Sequence, residues 1–170
     1  MNIKLIGAVL VMLGCGGVGF SMAAAHRAEV ISMRQFIRLL DYISCELQYH
    51  LTPLPQLFRQ AALESSSAIR AVCIAFAQEL EDQISPNVYN CMHCAIHNCG
   101  NIPASTKDSL EELGRSLGRF DIQGQLNALE SVRQSSRKRL DELEENRDVR
   151  LRSYQTLGVC AGAALAILLM

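Results

Sequence analysis

The sequence predicts an all-α protein, a compact bundle of about six helices flanked by N- and C-terminal transmembrane helices. Three observations predict it. Through the middle of the chain, apolar residues recur at three- and four-residue intervals, the period of one helix face. Aromatic residues make up 5 % of the chain and Trp is absent, which disfavours strands, where aromatic and β-branched side chains concentrate. At each end lies an apolar run without a single charge, Leu5 to Ala25 and Leu157 to Met170.

Taken in order, the first run spans 21 residues. At ~1.5 Å per residue it reaches about 30 Å, one hydrocarbon thickness. Its glycines, Gly7, Gly14, Gly16, Gly17 and Gly19, suit close approach between membrane helices. The rival reading is a cleaved leader, with Lys4 before the apolar run and Ala23-Ala24-Ala25 as the cleavage site. The run is longer than the usual ~7–15-residue leader core, and nothing breaks a helix beyond it. Residues 1–25 are therefore expected to form the first transmembrane helix.

Phe36, Leu39, Leu40, Ile43 and Leu47 then give a helical face, and no Gly or Pro interrupts His26 to His50. Thr52 is expected to cap a second helix with Pro53 at its first position, where the missing N–H costs nothing; that helix runs to about Leu63. Glu64-Ser65-Ser66-Ser67 marks a joint. Ile69, Val72, Cys73, Phe76, Leu80 and Ile84 give a third helical face. Ser85-Pro86 repeats the cap-and-proline signal for a fourth helix, which Gly100-Asn101-Ile102-Pro103 closes. A fifth helix is expected from Thr106 to Leu117, stopped near Gly118.

The last helix is expected to start at Asp121 as N-cap. Ile122, Leu126, Leu129, Val132, Leu140, Leu143 and Leu151 form its apolar side, with a polar gap near Ser135-Ser136. With no breaker between Gly124 and Gly158, it is expected to run about 30 residues and to continue toward the second apolar run. Its outer face carries Asp141, Glu142, Glu144 and Glu145, read as a solvated face. Leu157 to Met170 covers about 21 Å at ~1.5 Å per residue, short for a full span. Tyr154 suits the interface and Arg152 can snorkel to it, so residues 154–170 are expected to form the second transmembrane helix. Every joint is short, so residues 26–153 are expected to be one helical domain.

Charge bounds the function. Net charge is −1, and no basic face advertises nucleic acid. Between His26 and Ser153 there are 15 Lys and Arg and 17 Asp and Glu, the balance of a water-facing domain. Arg27, Arg34 and Arg38 follow the first apolar run, and Arg147, Arg150 and Arg152 precede the second. Only Lys4 and the amino terminus lie on the other side. The positive-inside bias places the domain in the cytoplasm and both termini across the membrane.

Catalytic motifs are missing. The chain has no Gly-x-x-x-x-Gly-Lys phosphate loop and no Gly-x-Ser-x-Gly elbow, so no enzyme activity is expected. Cys91-Met92-His93-Cys94-Ala95-Ile96-His97-Asn98-Cys99 is the one metal-like cluster, since Cys and His are good zinc ligands. Four ligands on a straight helix do not close a tetrahedron, however. Cys91 and Cys94 are expected to lie together, with His93 and His97 rotated away. A membrane-anchored zinc- or redox-active protein using Cys91, Cys94 and Cys99 is the alternative reading; neither metal nor cofactor is the main expectation. Seven cysteines, an odd number, fit reduced thiols better than a disulfide framework.

Two segments are more specified than a plain bundle requires. One is Glu46-Leu47-Gln48-Tyr49-His50-Leu51-Thr52-Pro53-Leu54. The other is Leu113-Gly114-x-x-Leu117-Gly118-x-x-Asp121-x-x-x-Gln125, whose paired glycines suit close helix approach followed by a turn.

The first segment resembles the Glu-Ile-x-Tyr-x-x-Thr-Pro-Leu signature of the stage III sporulation protein AB family. The second resembles that family's Leu-Gly-x-x-Leu-Gly-x-x-Asp-x-x-x-Gln segment. Tyr154-Gln155-Thr156-Leu157-Gly158-Val159-Cys160-Ala161-Gly162, with the apolar run after it, is similar to the family's closing anchor. The cysteine cluster is not part of that pattern. The resemblance implies a component of the channel, or feeding tube, joining mother cell and forespore in endospore-forming bacteria. It implies a soluble part similar to the cytoplasmic domains of the type II secretion platform protein, the F component. It also implies a place in the mother-cell membrane, contact with other channel proteins and above all with the system's ATPase, the AA component, and leaves homo-oligomerisation open. On this reading Glu46, Tyr49, Thr52, Pro53, Leu54, Gly114, Leu117, Gly118, Asp121, Gln125 and Gly158 serve structure and interaction.

Overall fold

The structure is a computed structural model. It describes the backbone of residues 3–50, 52–65, 67–82, 87–100, 102–118 and 122–169, with side chains for residues 21, 24–50, 52–65, 68–82, 87–100, 102–118 and 122–145. Among the described residues there are six α-helices and no strand: α1 (Ile3–Tyr49), α2 (Leu54–Glu64), α3 (Ser67–Glu81), α4 (Val88–Asn98), α5 (Ala104–Ser116) and α6 (Ile122–Leu169). The chain divides into two compact units, Glu29–Asp141 and the paired end segments Met1–Ala28 with Glu142–Met170. In the end-segment unit, the His26 Nε2–H donates to the Leu143 carbonyl oxygen at 2.9 Å. Among the described residues no helix is long and apolar enough to cross a membrane. The side chains of the two expected transmembrane runs, apart from Ser21, Ala24 and Ala25, lie outside them.

In the unit Glu29–Asp141, the expected face of α1 is the core face. Phe36, Leu39, Leu40, Ile43 and Leu47 are all buried. They meet Leu57 and Phe58 of α2, Ile69, Val72 and Phe76 of α3, Met92 and Ile96 of α4, Leu110 and Leu113 of α5, and Leu129 and Val132 of α6. The Phe58 and Phe76 rings meet edge to face, 4.6 Å between centroids and 79° between planes, a geometry worth about 0.5–1.5 kcal/mol beyond the area it buries. Asp41 and Arg133 join α1 to α6 by an ion pair of 2.8 Å, and Arg59 pairs with Glu81 across α2 and α3. Both pairs are partly exposed, so each contributes less than about 1 kcal/mol.

Several helix starts differ from expectation. Pro53, not Thr52, is the N-cap of α2. Asn87 caps α4: its side-chain oxygen accepts the Tyr89 N–H at 3.0 Å from an extended backbone. This is the preferred cap chemistry, and it puts the start beyond Ser85-Pro86, which lie outside the described residues along with Ile84. The fifth helix begins two residues early, at Ala104, because Pro103 sets the entry and its carbonyl accepts the Lys107 N–H at 2.9 Å. The last helix has 48 residues in all, Ile122–Leu169, and continues into the second apolar run. Ile122, expected on its apolar side, is 50 % exposed; it is the first residue of the helix and lies beyond the packed turns.

The polar gap at Ser135-Ser136 is not a gap in packing. Ser136 is fully buried and its hydroxyl donates to the Val132 carbonyl at 2.7 Å, one turn back. Opposite it, α5 turns an inner face of hydroxyls toward α1 and α6. Ser105 donates to Glu29 at 2.7 Å. Arg139 Nη1 donates to the buried Ser109 hydroxyl at 2.8 Å, and its Nη2 lies 3.6 Å from Glu112. The Ser135 hydroxyl reaches the same Glu112 carboxylate at 3.4 Å. Thr106 is fully buried, and its hydroxyl has no hydrogen-bond partner among the described residues. An unsatisfied buried hydroxyl costs about 1–3 kcal/mol. Replacing it with a methyl of the same shape, Thr106→Val, is expected to raise the thermal midpoint of the full chain in detergent; circular dichroism melting checks it.

Candidate functional site

The segment Glu46–Leu54 forms the junction between α1 and α2. Glu46 lies half-buried in the last turn of α1. It accepts the Thr52 hydroxyl at 2.8 Å on Oε2, and His50 Nδ1 lies 3.6 Å from its Oε1. The carboxylate thus ties the chain leaving α1 to the residue before the next helix. This explains why Thr52 does not cap α2: its hydroxyl is engaged by Glu46. Pro53 takes the N-cap with φ −57° and ψ 138°, and Pro55 sits in the first turn, where no N–H is needed. The Pro53 carbonyl accepts the Leu57 N–H at 3.0 Å, the first bond of the helix. Leu54 packs half-buried against the core, while Tyr49 points out and is 71 % exposed.

The second segment holds α5 against α4. Gly114 is buried, and a Cβ there would lie 2.8 Å from Met92 Cβ and 2.9 Å from its Cγ. Gly118 follows the buried Leu117 with φ +75°, the left-handed region that favours glycine. A Cβ there would also meet Val88 Cγ2 at 2.8 Å. Gly114 permits contact between helices, and Gly118 turns the chain after α5 has ended at Ser116 with Leu117 extended. Beside them, the Arg115 guanidinium lies 5.3 Å from the centroid of the Tyr89 ring. Gln125 is half-buried in the first turns of α6. Asp121 lies outside the described residues, and Gly158 falls within α6, where only the backbone is described.

The residues that receive α5, namely Val88, Tyr89 and Met92, were not singled out in the sequence. Nothing local marks them, because their role comes from a partner more than twenty positions away. The same holds for Ser109, Glu112 and Arg139.

The cysteine cluster does not assemble as expected. Cys91 is buried, Cys94 is exposed and Cys99 is half-buried at the C-cap of α4. Three residues of helix turn about 300°, so Cys91 and Cys94 are offset by a sixth of a turn, and the edge of the core falls between them. The Cys91 thiol points inward to the Glu79 carbonyl at 3.8 Å. Among the described residues, no group of three or more His, Cys, Asp and Glu is placed to hold a metal ion. Burial pushes the Cys73 thiol up to about 12, with the nearby Cys99 adding to the shift. The thiolate is the nucleophile, so at pH 8 iodoacetamide is expected to label Cys45 and Cys94 while sparing Cys73 in the folded chain; peptide mass spectrometry checks it.

With the two junctions in view, comparison with known proteins gives a consistent result. The family model for stage III sporulation protein AB matches residues 4–170. The chain belongs to the stage III sporulation protein AB family. Stage III sporulation protein AB of Bacillus subtilis (strain 168) is 22 % identical over 170 residues, covering 99 % of each chain. A solved structure of a stage III sporulation protein AB aligns with a TM-score of 0.64 at 18 % identity, covering 72 % of this chain and 98 % of that one. That likeness is one of fold. Membership in the stage III sporulation protein AB family makes this chain a sporulation protein, and the all-helical architecture agrees with it.

Proposed function

We propose that the protein is a non-catalytic membrane platform of the mother cell–forespore channel, and that its helical domain docks the cognate ATPase. The family assignment over residues 4–170 is the observation that carries this reading. The junctions support it in kind. Glu46 is occupied with Thr52 and His50, and a Cβ at Gly114 or Gly118 would meet α4 side chains. Both are devices for holding helices in place. Arg115 over Tyr89 and the exposed Tyr49 supply the residue types that anchor protein interfaces.

The two apolar runs supply the membrane part of the proposal. On this reading, Leu5–Ala25 and Leu157–Met170 are embedded in lipid, and the domain between them faces the mother-cell cytoplasm. Glu46, Thr52, Pro53, Gly114, Leu117, Gly118, Asp121 and Gln125 keep the domain in shape. Tyr49 and Leu54 act at the exposed junction, and Gly158 belongs to the second anchor.

Two measurements test it. Protease added to sealed, right-side-out spheroplasts is expected to leave the domain intact; digestion there would overturn the topology. The full-length chain in detergent is expected to co-purify with the cognate ATPase. Failure to do so at matched concentrations would remove the docking role while leaving the family assignment standing.

A further inference from the structure

The burial pattern of α4 divides it into two faces. Cys91, Met92, Ala95 and Ile96 are buried, and His93, Cys94, His97 and Asn98 are exposed. His93 and His97 are four residues apart, which places their Cβ atoms about 5–6 Å from each other on one side of the helix. We propose that these two imidazoles form a bidentate site for a borderline divalent metal ion of the zinc, nickel or copper class, and that water fills the remaining coordination positions.

Three further observations favour the site. The helix is held at both ends and along its back, so the backbone positions that carry the two imidazoles keep their spacing before any ion arrives. Asn87 caps its start, the Cys99 N–H closes its last turn onto Ala95 and Ile96, and Met92 is locked against Gly114. Tyr89, four residues before His93, lies in the same row, its ring 6.2 Å from the His93 ring between centroids and tilted 48° to it. Finally, His97 lies in the last turn, where the carbonyl end of the helix dipole favours a cation.

The chemistry selects the ion. Imidazole nitrogen suits zinc, nickel and copper, whereas magnesium and calcium require oxygen ligands. Affinity is expected to follow the general order for such sites, copper above nickel and zinc. Cys94 is one residue from His93, about 100° around the helix, but three from His97, so Cys94→Ser separates the histidine pair from a Cys94–His97 pair. The exposed His50 belongs to the Glu46 junction and serves as a control. The site does not depend on the platform reading and stands or falls separately from it.

A tag-free, full-length chain in detergent, titrated with nickel chloride by calorimetry, tests the site. Saturable binding of one equivalent is expected. His93→Ala and His97→Ala are each expected to weaken it by at least about tenfold, because a chelate is reduced to a single ligand. Cys94→Ser and His50→Ala are expected to leave it within about twofold. Both histidines are exposed, so circular dichroism of the variants should match that of the parent. Absence of saturable binding, unchanged binding in the double histidine variant, or loss of binding in Cys94→Ser would each overturn the proposal.

Discussion

Gly118→Val is expected to destabilise the domain by about 2–4 kcal/mol, through two costs that fall on one residue. The backbone there is at φ +75°, where a β-branched side chain is strained. The new Cβ would also start 2.8 Å from Val88 Cγ2. Val88 is the first residue of α4 and sits directly after the Asn87 cap, so it cannot withdraw without disturbing that cap. A domain of this size is stable by only ~5–15 kcal/mol in total, so the loss is a large share. Urea unfolding of the full chain in detergent, followed by circular dichroism, measures it. Gly118→Asn separates the two costs: Asn tolerates the left-handed backbone but keeps the overlap. If Val and parent unfold at the same urea concentration, the turn does not hold α5 as described.

Gly114→Leu is expected to cost at least about 3 kcal/mol, or to displace α4 from α5. Intrinsic preference works the other way, because Leu is favoured over Gly in a helix interior by close to 1 kcal/mol. Any loss therefore reports packing and not propensity. The obstacle is Met92, fully buried, with its Cβ 2.8 Å from where the new Cβ would stand. A methionine can swing its far end aside, but its Cβ moves only with its backbone. Met92→Ala would clear the 2.9 Å contact to Cγ and leave the closer one, so it is expected to rescue the variant only in part. Denaturation midpoints of both single variants and the double variant check this by a mutant cycle.

Much of this architecture was legible in the sequence. The spacing of Phe36, Leu40, Ile43 and Leu47 identified the core face of α1, and Leu113-Gly114-x-x-Leu117-Gly118 announced a close helix contact followed by a turn. Strong periodicity and glycine in a forced conformation are local signals, so local reading finds them. Cap positions were less legible. Thr52, Ser85 and Asn87 are all good cap chemistry, and the choice depends on what else each can reach. Thr52 reaches Glu46, which lies on a different helix. The cysteine cluster was misread for a related reason: the boundary of the core passes between Cys91 and Cys94, and only the packing of α3 and α5 against α4 sets that boundary. The partners of the glycines, Val88 and Met92, were invisible because their importance belongs to the pair.

The hydroxyl-lined seam along α5 gives the domain two kinds of adhesive. Between α2 and α3 the contact includes interlocked rings that exclude solvent, and any slip there loses contact outright. Along α5, Ser105, Ser109 and Glu112 meet α1 and α6 through directional bonds that water can replace one by one, each at a net loss of only ~0.5–1.5 kcal/mol. Under mechanical load those polar links would therefore give way one at a time, while the buried Leu110 and Leu113 of the same helix still hold it to the core.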